Sequence, residues 1–159
     1  MTASSQVKVR KGTRQDVPAV LDLIRELATY ERQPDAVTLT MEELENDGFG
    51  PDPIYRLFVA ESATGILGIA LYYEKYSTWQ GRCIFLEDII VTASERGKGI
   101  GKRLFDKVIE VAGTVNAARL EWQVLDWNMP AIGFYRKYGA ELDGEWLNGK
   151  LTREQLQRI

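Results

Sequence analysis

Apolar and polar residues alternate over Val7–Arg10, the spacing of a half-buried strand. The period then changes. Thr13 followed by Asp16 forms a helix start, and Val17, Val20, Leu21, Ile24, Leu27 and Ala28 recur on one helical face as far as Tyr30. Thr40 with Glu43 is a capping box for a short second helix, ending near Asp47-Gly48. Tyr55–Glu61 and Gly68–Tyr76 read as a strand pair turning around Ala63–Gly65. Cys83–Val91 is a nearly continuous apolar strand, interrupted by Glu87-Asp88. A long amphipathic helix follows, from about Gly99 to Asn116, with Ile100, Leu104, Val108, Val111 and Val115 inward. Arg119–Leu125 reads as a strand and Pro130–Tyr138 as a helix stopped by Gly139. Glu145–Leu151 is expected as a last strand and Thr152 as the start of a terminal helix. Such interleaving predicts one layered α/β (α+β) domain, residues 1–159, around a mostly antiparallel sheet.

Composition narrows the chemistry. The chain has 159 residues, 45% hydrophobic, with no linker, repeat or low-complexity tract to mark a second domain. Its longest apolar stretch, around Gly65–Tyr73, is too short to cross a bilayer, so no membrane partner is expected. Met1–Gln6 is polar and lacks the apolar core of a signal peptide, and a single cysteine, Cys83, forms no internal disulfide. A cytoplasmic location is the expectation. The net charge of −3 argues against nucleic-acid binding, which needs a basic face, and permits a cationic ligand. There is no histidine. That excludes Ser-His-Asp and Cys-His catalysis and, with one cysteine, leaves no metal site expected. Proton transfer must then use carboxylates, tyrosine, lysine or water.

The informative segment runs from Leu86-Glu87-Asp88-Ile89-Ile90-Val91 to Glu95-Arg96-Gly97-Lys98-Gly99-Ile100-Gly101-Lys102. A buried strand enters a glycine-rich turn that opens a helix. The first N–H groups of such a helix have no partners and, with the dipole, attract an anion. Arg96, Lys98, Lys102 and Arg103 add positive charge, so the loop reads as a diphosphate cradle. Gly101-Lys102 is followed by Arg103, unlike a P-loop, and the Gly-x-Gly-x-Gly spacing differs from a dinucleotide-binding turn. Arg-x-x-Gly-x-Gly at Arg96–Gly101 instead resembles the acetyl-CoA pyrophosphate loop of the GNAT superfamily of N-acetyltransferases.

Glu26-Leu27-Ala28-x-Tyr30-Glu31, Asp47-Gly48-Phe49-Gly50, Leu86-Glu87-Asp88 and Trp127-Asn128 extend the resemblance to the diamine acetyltransferase family. Tyr76-Ser77-Thr78-Trp79-x-Gly81-Arg82 and Val124-Leu125-Asp126-Trp127-Asn128 are similar to its thialysine N-epsilon-acetyltransferase branch more than to its polyamine branch. The resemblance implies a single GNAT-type domain: a mixed, mostly antiparallel sheet of six to seven strands with splayed central strands, flanked by about four helices. It implies acetyl-CoA as co-substrate, a small primary amine as acceptor and a homodimer. Glu87 would accept the ammonium proton, and Tyr135 would protonate the leaving thiolate. Ile89, Ile90 and Val91 would hold the pantetheine arm. Arg96, Gly97, Lys98, Gly99, Ile100, Gly101 and Lys102 would hold the diphosphate, with Asn128, Met129, Pro130 and Ala131 adding cofactor contacts. Tyr30, Glu31, Glu87, Glu121, Trp122 and Gln123 would line the amine pocket. Simple alternation puts Asp88 on the face opposite Glu87, in a structural role, while Trp79 either walls the pocket or packs. A polyamine acetyltransferase, a protein acetyltransferase and a non-catalytic acyl-CoA-binding module are the alternatives.

Overall fold

The computed structural model describes residues 6–159; the polar start, Met1–Ser5, lies outside the described residues. Five strands are found among them: β1 (Lys8–Lys11), β2 (Arg56–Ser62), β3 (Gly65–Ser77), β4 (Gly81–Val91) and β5 (Leu120–Trp122). They lie in the order β1-β2-β3-β4-β5. All neighbours are antiparallel except β4 and β5, which are parallel. The helices are α1 (Val17–Tyr30), α2 (Met41–Phe49), α3 (Ile100–Thr114), α4 (Met129–Arg136) and α5 (Arg153–Gln157). This is the expected α+β class with a mixed, mostly antiparallel sheet. The chain divides into two compact units, one up to Gln123 and the other Val124–Ile159.

In the first unit α1 starts where the sequence places it. A 3₁₀ turn, Arg14–Asp16, precedes it, and the buried Asp16 carboxylate accepts from Thr13 N–H at 2.7 Å. Arg10 clamps the same carboxylate through both its terminal nitrogens, at 2.8 and 2.9 Å. These bonds and the positive charge hold Asp16 below the usual carboxylate range despite its burial. Val17, Val20, Leu21 and Leu23 of α1 pack with Leu57, Val59, Ile69, Leu71 and Ile90 of the sheet in one core cluster. Leu104 of α3 lies against the opposite face, where a Cβ at Gly68 would meet its Cδ1 at 3.2 Å. Two faces, each carrying a helix, explain why β4 is apolar on both sides.

Two expectations are corrected. The sheet has five strands rather than six to seven among the described residues, and the helices number five rather than about four. Glu145–Leu151 forms no strand: Trp146 and Leu147 are 74% and 97% exposed, and Asn148 and Gly149 interrupt the run. The expected Arg119–Leu125 strand pairs only over Leu120–Trp122. That shortening matters, because the parallel ladder ends at Leu86↔Trp122 while β4 continues to Val91. The pairing between the central strands stops there, where the resemblance implies that they splay. Among the described residues, no helix is long and apolar enough to cross a membrane.

Candidate functional site

Glu87 occupies a β-bulge. Leu86 pairs with Tyr72 and Asp88 with Leu71, so Glu87 is the extra residue between them. Directly paired residues share a face. Asp88 therefore faces the α1 side with Leu71, whereas Leu86 faces the other side with Tyr72. Glu87 also turns to the α1 side: its Oε2 accepts from the Tyr73 hydroxyl at 2.8 Å, and Tyr73 lies two residues beyond Leu71. The reading of Asp88 by simple alternation is thus overturned. The bulge inserts one residue, shifts the parity and puts both carboxylates on one face.

Burial pushes the Asp88 carboxyl up to about 7, helped by the negative charges of Glu87 and Glu31. Glu31, the C-cap of α1, is itself raised by burial. The Tyr73 phenol is pushed up to about 12 by burial first, then by its bond to Glu87 and the charges of Glu87 and Asp88. A protonated phenol thus faces Glu87 and Asp88, with Glu31 acting on Asp88, near the point where the ladder with β5 ends. Such a site attracts a cation and has one group poised to exchange a proton near neutrality.

The loop after β4 is tied to α1. Glu26 accepts from Ala93 N–H at 2.8 Å and from the Thr92 hydroxyl at 3.0 Å. Arg96 donates from Nε to the Val91 carbonyl at 3.0 Å, and its guanidinium lies 4.8 Å from the centre of the Tyr30 ring. Gly97 (φ +76°) and Gly99 (φ +81°) are left-handed, and a Cβ on either would meet nothing within 4 Å. Conformation, not space, requires glycine there, and the concavity stays open. In α3 the Arg103 N–H bonds the Gly99 carbonyl at 3.1 Å, so the N–H groups of Ile100, Gly101 and Lys102 precede the helical ladder. These are the donors an anion would use. The four nearby cations have separate partners: Lys98 bonds Glu95, Lys102 bonds Asp106, Arg103 bonds the Val7 carbonyl and Arg96 bonds Val91.

Of the strand residues expected at the amine pocket, Glu121 pairs with Phe85 and bonds Lys75 Nζ at 3.4 Å. Trp122 faces the other side, against the Phe105 ring at 5.5 Å, and Gln123 follows the strand's end. Trp79 is 84% exposed at the β3–β4 turn.

In the second unit, Asn128 caps α4, its Oδ1 accepting from Ala131 N–H at 3.3 Å, with Met129 and Pro130 in the first turn. Tyr135 is only 5% exposed, and its ring meets Phe134 at 5.2 Å. Tyr73, Phe85 and Lys75 belong to no motif and were not among the expected site residues. Strand alternation could have found Tyr73 and Phe85, had the partner strand's register been known.

The Acetyltransferase (GNAT) family matches residues 17–140. Thialysine N-epsilon-acetyltransferase of Bos taurus is 45% identical over 143 residues, covering 85% of this chain and 84% of that protein. The Sus scrofa protein of that name is 40% identical over 167 residues, covering 98% of each. Among solved structures, an integron cassette protein of V. cholerae superposes with a TM-score of 0.77 at 24% identity, covering 96% of each chain, which shows the shared fold. Sequence match, strand order and the parted β4–β5 pair agree: the chain belongs to the GNAT acetyltransferase family.

Proposed function

We propose that this acetyltransferase moves the acetyl group of acetyl-CoA to the side-chain amine of a small, thialysine-like amino acid or short diamine. The observation that carries the reading is the bulge that turns Glu87 and Asp88 to one face beside Glu31. The substrate class also draws on the two relatives named for thialysine acetylation.

An alkylammonium, with a pKa near ~10, must lose a proton before its nitrogen can attack a thioester. Glu87 attracts the ammonium and takes that proton, directly or through water. The nitrogen lone pair forms the C–N bond, the C–S bond breaks, and Tyr135 supplies the proton to the departing thiolate. Backbone groups of Ile89, Ile90 and Val91, freed where β4 parts from β5, hold the pantetheine arm and stabilise the carbonyl oxygen. Arg96–Lys102 cradle the diphosphate through the open turn at Gly97 and Gly99, and Asn128–Ala131 add contacts. Tyr30, Glu31 and Gln123 line the substrate pocket, with Glu121 at its far end beside Lys75; Trp122 packs on the other face, against Phe105. The chain acts as one domain over 1–159, in a cytoplasmic homodimer without a metal.

Thiol release from acetyl-CoA is measured with thialysine, lysine, putrescine, spermidine and a lysine peptide, alongside Tyr135→Phe and Glu87→Gln. Turnover of a small amine, slowed about 100-fold or more in each variant, is the expected result. Acetyl-CoA binding without turnover of any amine would overturn the reading.

A further inference from the structure

The α1 face of the sheet carries a strip whose two ends have opposite charge. At one end Glu87 accepts from the Tyr73 hydroxyl at 2.8 Å. The Tyr73 ring stacks on Phe85 with centres 5.4 Å apart. Lys75 Nζ then lies 5.4 Å from the centre of the Phe85 ring. Beyond it, Lys75 meets Glu121 at 3.4 Å, and Glu121 also meets Arg119 Nη2 at 3.7 Å. Carboxylate, two aromatic rings and ammonium thus follow one another without a break across β3 and β4.

The charge balance differs at the two ends. Around Glu87 lie Asp88 and Tyr73, with Glu31 acting on Asp88 in turn, and all of them are acids. Around Lys75, two cations share the single carboxylate of Glu121, which leaves one positive charge in excess. The Lys75 side chain is 46% exposed, so a solute can reach it. A diamine gains nothing from this end, because its second ammonium meets Lys75 and Arg119. An amino acid with a side-chain amine has the complementary form. Its amine is cationic, its stem is a methylene or thioether chain that suits two ring faces, and its far end carries a carboxylate.

We propose that Lys75 is a specificity-determining residue that takes the α-carboxylate of an amino-acid substrate whose side-chain amine lies at Glu87. The inference rests on the reading of Glu87 as the amine-binding group. It adds that the site selects amino acids over diamines of the same length through repulsion as well as attraction. The Phe85 ring and Glu121 both meet the Lys75 ammonium, so it is ordered before substrate arrives.

The test compares thialysine with its carboxamide, which keeps the length and the α-ammonium but lacks the carboxylate. Cadaverine, which is lysine without its carboxylate, supplies a methylene arm that ends in a second ammonium. For each, kcat/KM is measured in the wild type, Lys75→Met, Lys75→Arg and Lys75→Glu, with thermal melting as the control for folding. The wild-type preference for acid over carboxamide is expected to be about tenfold or more, the size of a charge-assisted contact at a partly exposed site. That ratio is expected to fall towards one in Lys75→Met, to persist in Lys75→Arg, and to turn in favour of cadaverine in Lys75→Glu. An acid-to-carboxamide ratio that is the same in Lys75→Met as in the wild type would overturn the proposal while leaving amine acetylation intact. Absence of turnover with every amine would instead remove the Glu87 reading, and this inference with it.

Discussion

The Tyr73 hydroxyl and the Glu87 carboxylate meet at 2.8 Å across the β3–β4 ladder, beside the one residue that the ladder leaves unpaired. Because the phenol stays protonated up to about 12, it donates to Glu87 throughout the working range. Tyr73→Phe removes that donor while keeping the ring on Phe85. A fall of about fivefold in kcat/KM for the amine is expected, the size of one hydrogen bond, with the KM for acetyl-CoA unchanged. Steady-state kinetics with each substrate varied in turn would check it.

Asp16 joins the end of β1 to the start of α1. Arg10 and Thr13 satisfy its carboxylate, and it is 6% exposed. Asp16→Ala leaves Arg10 without its buried partner and is expected to cost about 3 kcal/mol in urea unfolding. The folded value lies below the unfolded one, so this stabilisation is present above about pH 4 and is lost as pH falls through the folded value.

Asp88 behaves in the opposite sense. Its folded value, about 7, lies above the ordinary value of 3.8, so the folded state binds the extra proton between those limits. Stability from this group is full below about pH 4 and is lost as pH rises towards 7. Asn mimics the protonated form. The melting temperature of Asp88→Asn relative to the wild type is therefore expected to rise by a few degrees from about pH 5 to about pH 8. A difference that stays constant with pH would contradict the assignment.

Gly68 pairs with Val91, and a Cβ there would meet the Ile90 carbonyl oxygen at 2.8 Å and Leu104 Cδ1 at 3.2 Å. Gly68→Ala must push β3 away from β4 or shift α3. A loss of about 2 kcal/mol in stability is expected, with a raised KM for acetyl-CoA because the pairing that fixes Ile90 and Val91 of β4, proposed to hold it, is disturbed. Gly99→Ala differs. Space is open, and the cost of about 1 kcal/mol comes from its left-handed backbone alone.

The elements of the fold were largely legible in the sequence, because their apolar periods and caps are local signals. Thr40 with Glu43, for example, forms the capping box that opens α2. The sheet's register was not. Nothing within Leu86-Glu87-Asp88 says that one of the three lacks a partner; that depends on Leu71 and Tyr72 in another strand. The acid cluster was accordingly half visible, with Glu87 and Glu31 named by motif and Asp88 assigned to the wrong face. The run Glu145–Leu151 has strand-like residues but pairs with no strand among the described residues, and pairing is not a property of one segment.

The bulge at Glu87 also acts as a phase shift in the strand. Before it, odd-numbered Phe85 looks towards α1; after it, even-numbered Asp88 and Ile90 do. The two halves of β4 are therefore written in different reading frames relative to the helices. Deleting Glu87 would leave Leu86 opposite Tyr72, Asp88 opposite Leu71 and Ile90 opposite Ile69, so the ladder would close into regular alternation. The core would keep its packing while the face towards α1 would be left with one carboxylate where it had two. The extra residue thus serves the site and not the sheet, and any transplant of this site into another sheet must carry it along.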